Sequence, residues 1–159
     1  VLFVALQRLA ELAISKRNER WLRARGAVEF GAAHYPYMVA MHVAFFFSLV
    51  IEVAGFARSP AAWWWIPFTL FLLAQVLRYW TILTLGRRWN TRILILPGAA
   101  PIKHGPYRYL RHPNYLAVAL ELLTIPLIYQ AYLPATAFTL LNVIMMSIRI
   151  PAEERALRT

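Results

Sequence analysis

The hydrophobic positions of this chain fall in long runs rather than in alternating pairs, and five such runs are separated by short polar stretches. The first is the amino-terminal VLFVALQRLAELAI. The second extends from Tyr37 to Phe56, the third from Trp63 to Leu85, the fourth from Tyr115 to Tyr132 and the fifth from Pro134 to Ile150. About 20 residues rising 1.5 Å each cross the hydrocarbon of a bilayer, so runs of this kind predict spanning helices. The turn between the fourth and fifth runs is so short that the two must form an antiparallel hairpin, and Pro126 is expected to kink the fourth. Lys16 to Phe30 reads as a basic helix at the membrane interface. The expected fold class is an all-α integral membrane protein with five transmembrane helices in a single domain. Residues 1–85 supply three spans, and residues 86–159 form a carboxyl-terminal core that contains the helical hairpin.

Composition agrees with that pattern. Of 159 residues, 60% are hydrophobic and 14% aromatic, yet the net charge is +10, a combination foreign to a soluble domain of this length. The basic residues are segregated. Lys16, Arg17, Arg20, Arg23 and Arg25 follow the first span, and Arg87, Arg88, Arg92, Lys103, Arg108 and Arg111 follow the third. Arg149, Arg155 and Arg158 sit at the end of the fifth, whereas the other two connections carry only Arg58. Basic loops face the cytoplasm, so the expected orientation has the amino terminus outside and the carboxyl terminus inside. The first segment lacks a basic leader and a small-residue cleavage site, so it is read as a span rather than a cleavable signal. Charge spread over loops at one membrane face does not suit nucleic-acid binding.

Several chemistries drop out. With no cysteine there is no disulfide, thiolate nucleophile or sulfur-bound metal. His34, His42, His104 and His112 show no metal-ligand spacing, so no metal site is expected. There is no aspartate, no GxSxG elbow and no phosphate-binding glycine loop.

What remains is a concentration of polar groups at the basic face. KHGPYRYLRHPNY, Lys103 to Tyr115, holds far more hydrogen-bonding and ring chemistry than a helix connection needs. Gly105 and Pro106 force a turn, and Pro113 suits the first turn of the following helix. RIPAEERAL places Arg149 and Glu153 four residues apart, so they share a helix face if the helix continues through Pro151. Because the fourth and fifth spans are hairpin neighbours, His112 to Tyr115 and Arg149 to Glu154 are expected to meet. Each feature has an ordinary reading. The arginines could be orientation charges, the tyrosines belt residues, and the glutamates helix-end charges. Those readings do not call for a Gly-Pro-Tyr turn, an Arg-His-Pro helix start and a carboxylate pair together. Arg78 and Glu121, ionisable groups within the third and fourth spans, are candidates either for mutual pairing or for contact with a substrate head group. Arg8 and Glu11 are expected to form a local pair.

GPYRYLRHPNY followed by RIPAEERAL resembles the isoprenylcysteine carboxyl methyltransferase family of integral membrane enzymes, whose pattern is roughly GxYxxxRHPxYxG and then RxxxE. The likeness runs from LGRRWNTRI to the end of the chain. It departs at Ala117, where the pattern has glycine. The amino-terminal half, QRLAELAISKRNERWLRARGAVEFGAAHYPYMVAMH, is similar to a bacterial branch that O-methylates long-chain alkylpyrones beside type III polyketide synthases.

The resemblance implies S-adenosylmethionine as cofactor, a cytoplasmic cofactor pocket, a lipophilic acceptor and a place in the bacterial inner membrane. A polyketide synthase that supplies the substrate is an implied partner. An adenine ring, a cationic sulfonium, an ammonium and a carboxylate ask for aromatic faces and both signs of charge. Tyr107 and Tyr115 would offer the faces, Ile102 and Pro113 apolar walls, and Glu153 a partner for the ammonium. His112 and nearby backbone groups would position the carboxylate end, and Asn114 is a further cofactor-binding candidate. Arg149 would hold an anionic acceptor oxygen, since a guanidinium stays charged near lipid and grips with two donors. A phospholipid N-methyltransferase, an NADPH-dependent sterol reductase on the same fold and a non-catalytic membrane scaffold are the alternatives.

Overall fold

The computed structural model describes residues 1–158. Its elements in chain order are helix α1 (Leu2–Arg23), strand β1 (Val28–Phe30), helices α2 (Tyr35–Val50) and α3 (Trp65–Leu85), strand β2 (Ile93–Ile95), and helices α4 (Pro113–Ile128) and α5 (Tyr132–Leu157). A π-helical turn, Ile51–Gly55, extends α2, and 3-10 turns occupy Gly86–Arg88 and Gly105–Arg108.

The hairpin forms as its sequence requires. Only residues 129–131 separate α4 from α5, and the two pack side by side, with α3 against α4 and α2 against α5. Pro126 lies in the last turn of α4, where its carbonyl accepts the amides of Tyr129 and Ala131 and closes the helix. The core gathers Val4, Met41, Phe45, Leu49, Phe71, Leu122, Ile125, Phe138 and Met145. Phe45 and Phe138 meet edge to face with ring centroids 5.6 Å apart. Ala74 and Ala117 are wholly buried. Small residues at such positions let helix backbones approach closely, which matters in lipid because packing rather than water exclusion drives helix association. Ala117 is therefore filled by its neighbours without the glycine of the family pattern. Large apolar side chains such as Leu73, Val76, Leu83 and Val143 project outward.

Three helical stretches, Tyr35–Gly55, Trp65–Arg88 and Tyr132–Leu157, are long and apolar enough to cross a membrane. α4 is apolar but spans 16 residues, and α1 is long but carries charge along its length.

The all-α class holds, with the addition of one short ribbon in which β1 and β2 pair antiparallel, Glu29 opposite Leu94. One expectation is corrected: the stretch Lys16–Phe30 is not one interfacial helix, because α1 runs on to Arg23, the chain turns at Ala24–Gly26, and Val28–Phe30 joins β2. Glu29 anchors this ribbon by accepting from Arg92 (2.8 Å) and Arg23 (2.7 Å).

Arg78 and Glu121 lie inside the bundle in a four-charge cluster. Arg8 reaches both Glu11 (2.6 Å) and Glu121, Arg78 donates from Nε to Glu11 (2.9 Å), and Arg78 Nη1 stands 3.9 Å from Glu121. Gln75 supplies a further hydrogen bond to Glu121 (2.7 Å). The expected local Arg8–Glu11 pair is thus one side of a network that fastens α1, α3 and α4 together.

Candidate active site

At the basic end of the bundle the loop 86–112 folds back over the helix ends, and Gly105 sets its path. Its φ of +62° is in the left-handed region, and a Cβ there would lie 2.4 Å from Thr84 Oγ1 on α3. Glycine thus supplies both the turn and the close approach. The 3-10 turn that follows buries Pro106 and leaves Tyr107 half-buried. Burial, and after it the Glu153 carboxylate, pushes the Tyr107 hydroxyl well above its ordinary pKa, so it stays protonated at neutral pH.

His112 caps the start of α4, and Pro113 occupies its first turn. On the facing strand of the hairpin, α5 continues through Pro151 to Leu157, which brings Arg149 and Glu153 to one face. The two helix ends then meet as expected. Tyr115 Oη donates to Glu153 Oε2 at 2.5 Å, and His112 Nε2 lies 3.1 Å from Glu154 Oε1. His112 Nδ1 is 4.0 Å from Glu153, and the His112 and Tyr115 rings are 5.5 Å apart. Asn114 turns a buried Oδ1 toward no hydrogen-bond partner among the described residues.

Arg149 is one helical turn deeper, 3% exposed, with Nη2 donating to the Thr91 carbonyl at 3.1 Å and a buried Nε without a partner among the described residues. Its charge lies near the Tyr115 hydroxyl and His34. Buried polar atoms cost free energy until paired, so the Nε–H of Arg149 and the carbonyl of Asn114 mark a donor and an acceptor held ready for a ligand.

The sequence-derived residues His112, Pro113, Asn114, Tyr115, Glu153 and Arg149 therefore gather at one place, with Tyr107 beside them. Ile102 is half-buried in the preceding loop and takes no part in the polar cluster. Arg78 and Glu121 belong to the separate four-charge cluster. Sequence reading passed over Ser15, Tyr35 and Thr91, whose hydroxyls meet beside Arg149 at 3.0 Å separations. They lie on α1, at the start of α2 and in the WNT segment, too far apart in sequence for any spacing rule to join them.

Comparison with known proteins decides the family. The model of the isoprenylcysteine carboxyl methyltransferase (ICMT) family matches residues 65–159, which include the whole α4–α5 cluster. This chain belongs to the ICMT family. The eukaryotic intramembrane Ras methyltransferase ICMT has a similar structure, with a TM-score of 0.63 at 27% sequence identity. The match covers 78% of this chain and 46% of that one, so the present ICMT-family chain spans less than half of the eukaryotic enzyme. Two bacterial relatives match nearly end to end. YpbQ of Bacillus subtilis, an uncharacterized protein, is 44% identical over 99% of this chain and 94% of its own length. An uncharacterized protein of Haemophilus influenzae is 30% identical over 94% of this chain and 88% of its own.

ICMT-family methyltransferases use S-adenosylmethionine, and the donor set of this member fits that molecule. Glu153 and the unpaired Asn114 Oδ1 suit an ammonium, Tyr107, His112 and Tyr115 offer ring surfaces, and the free Arg149 Nε–H suits an anion. The described residues contain no cluster of three or more potential metal ligands.

Proposed function

We propose that this ICMT-family protein transfers a methyl group from S-adenosylmethionine to an anionic oxygen on a lipophilic acceptor at the cytoplasmic end of the bundle. The observation that carries the reading is the junction of His112 and Tyr115 with Glu154 and Glu153, one turn from the buried, partly unpaired guanidinium of Arg149.

When bound, the cofactor supplies an electrophilic methyl group on a cationic sulfur. The chain's own residues hold and orient. Glu153 and Asn114 take the ammonium, His112 and neighbouring backbone the carboxylate, Tyr107 and Tyr115 present ring faces, and Ile102 and Pro113 form walls. Arg149 holds the acceptor oxygen, and alignment of nucleophile with methyl carbon is the main catalytic demand. No strong base is required for an acceptor that is already ionised. His112, engaged by Glu154, is given to the cofactor side and not to proton abstraction.

A buried cation beside the reaction site favours an anionic acceptor over an amine, which sets oxygen methylation apart from phospholipid N-methylation. Within that class we assign the acidic enol of a long-chain alkylpyrone as the first acceptor to test and an isoprenylcysteine-like carboxylate as the second, with a type III polyketide synthase as the supplier of the former. Arg78 bonds to Glu11 and Glu121 to Arg8 and Gln75, which favours a pairing role over contact with substrate, although Arg78 Nη1 has no hydrogen-bond partner among the described residues.

The membrane placement is proposed on charge. Every Lys and Arg except Arg8, Arg58 and Arg78 lies at the active-site end. This supports five spans in the bacterial inner membrane as one functional unit, amino terminus outside, carboxyl terminus and site in the cytoplasm.

Isothermal titration of the detergent-solubilised protein tests the cofactor assignment. S-adenosylmethionine should bind, and Glu153→Gln should weaken it by about 1.5–3 kcal/mol, the range for a hydrogen bond to a charged group. No heat of binding to the wild type, or equal affinity in the variant, contradicts the assignment.

A further inference from the structure

Arg149 is aimed by a backbone atom, the Thr91 carbonyl 3.1 Å from its Nη2. Thr91 in turn is tied more heavily than a loop residue needs to be. Its amide donates to Ser15 Oγ at 3.1 Å, and its hydroxyl lies 3.0 Å from Ser15 Oγ and 3.0 Å from Tyr35 Oη. On one side Asn90 donates from Nδ2 to the Ser15 carbonyl (2.9 Å) and accepts the Arg92 amide at its Oδ1 (2.8 Å). On the other, the Arg92 guanidinium lies over the Tyr35 ring, 4.0 Å from its centroid. Ser15 comes from α1, Tyr35 from the first turn of α2 and Arg149 from α5, so three helices converge on one residue of the β2 approach.

A knot of hydroxyls could serve only to fasten a loop. Two features point further. Ser15 is 3% exposed, with Tyr35 and Thr91 half-buried around it, and Arg149 keeps a buried Nε–H without a partner among the described residues. A planar guanidinium fixed along one N–H has its remaining donors fixed as well, because its fork is rigid. Whatever holds the Thr91 carbonyl therefore helps to fix where the unpartnered Nε–H of Arg149 points.

We infer that Thr91 is a positioning residue for Arg149: its carbonyl orients the guanidinium, and Ser15 and Tyr35 hold that carbonyl in place, so that the unpartnered Nε–H meets the anionic oxygen of a lipophilic acceptor. The inference rests on the reading of Arg149 as the acceptor's anion site.

Binding of hexadecanoate carrying a terminal fluorophore, used as an anionic long-chain probe, reads this without turnover. Titrations of the full-length protein in detergent are paired with S-adenosylmethionine titrations and with methyl-transfer rates. Thr91→Val keeps the carbonyl and loses both hydroxyl contacts. It should weaken probe binding about tenfold while cofactor affinity stays within about threefold, and Thr91→Ser should recover most of the loss. In an Arg149→Lys background the same change should add less than about twofold, because residues acting as a unit are non-additive.

Wild-type probe affinity in Thr91→Val, or an equal added loss in both backgrounds, overturns the inference. So does a wild type that binds no probe, which removes the anion site as well. Should Thr91→Val fail to fold, Tyr35→Phe carries the test: an additive effect with Arg149→Lys overturns the inference, and a non-additive one supports it. Coupled probe binding without methyl transfer to any acceptor sustains the inference and ends the methyltransferase reading. Methyl transfer with an uncoupled Thr91 does the reverse.

Discussion

Arg149 holds its permanent charge almost wholly buried and commits one donor to Thr91. A lysine there keeps the charge and loses the planar fork. If the guanidinium holds an acceptor oxygen, Arg149→Lys should lower turnover about ten- to a hundredfold while cofactor affinity stays within about threefold, because bidentate positioning is lost and charge is not. Paired rate and titration measurements check this, and a normal rate would remove the role. That the residues proposed for the cofactor side gather in space was legible in the sequence, because Tyr107 to Tyr115 are contiguous and Glu153 follows Arg149 by one helical turn. Ser15, Tyr35 and Thr91 were not. A hydroxyl has no sequence signature when its partner lies 76 or 56 residues away, and Thr91 reaches Arg149 through a carbonyl that every residue possesses. Glu154 was visible as half of a carboxylate pair, yet its partnership with His112 depends on how far the fourth and fifth helices overlap.

Among the elements, the helices followed from hydrophobic length and the ribbon did not. β1 and β2 are three residues each, too short for a period-two pattern to register, and their pairing joins Val28 to Ile95 across most of the amino-terminal half. Their significance is mechanical, since β2 directly follows Thr91 and Arg92. Glu29 holds the ribbon. Burial alone would raise its pKa, but hydrogen bonds from Arg92 and Arg23 outweigh it and lower the folded-state value below the ordinary 4.5. A depressed carboxylate contributes stability that is present above the unfolded pKa and is lost as pH falls through the folded one. Thermal stability in detergent should therefore decline as pH is lowered from about 4.5, and Glu29→Gln should flatten that acid limb. An equally steep decline in the variant would place the acid sensitivity elsewhere. Among the helices, the fifth run was read only to Ile150 and its continuation through Pro151 was left conditional; α5 runs unbroken to Leu157, which puts Arg149 and Glu153 on one face. Pro126 closes α4 from its last turn, a role that its position in the chain did not distinguish from a kink.

Across the whole molecule, one end holds nearly all the basic side chains together with the site, while the other holds the Arg58–Glu52 pair (3.0 Å) and the Trp63–Trp65 run. The chain has no cysteine, so single cysteines report orientation cleanly. Ser59→Cys and Tyr132→Cys should react with an impermeant thiol reagent applied to intact bacterial cells, and Lys103→Cys and Leu157→Cys should react only after lysis. The opposite pattern would put the site away from the compartment where S-adenosylmethionine is made. The order of the helices was legible from the apolar runs, three stretches of which are long and apolar enough to cross a membrane, whereas the charged interior was only half legible: Arg8, Glu11, Arg78 and Glu121 are visible as ionisable residues in apolar runs, but which of them meet depends on the packing of α1 against α3 and α4. The central claim is methyl transfer to an anionic lipophilic oxygen, and one assay addresses it most directly. Purified protein in liposomes is given S-adenosylmethionine labelled in its methyl group and a long-chain alkylpyrone or an isoprenylcysteine carboxylate, and the lipid fraction is counted and identified by mass spectrometry. The account predicts label on the acceptor oxygen of at least one of the two with wild-type protein and a greatly reduced rate with Arg149→Lys; binding of the cofactor with no label in either acceptor, or label on nitrogen of the surrounding phospholipid, would contradict it.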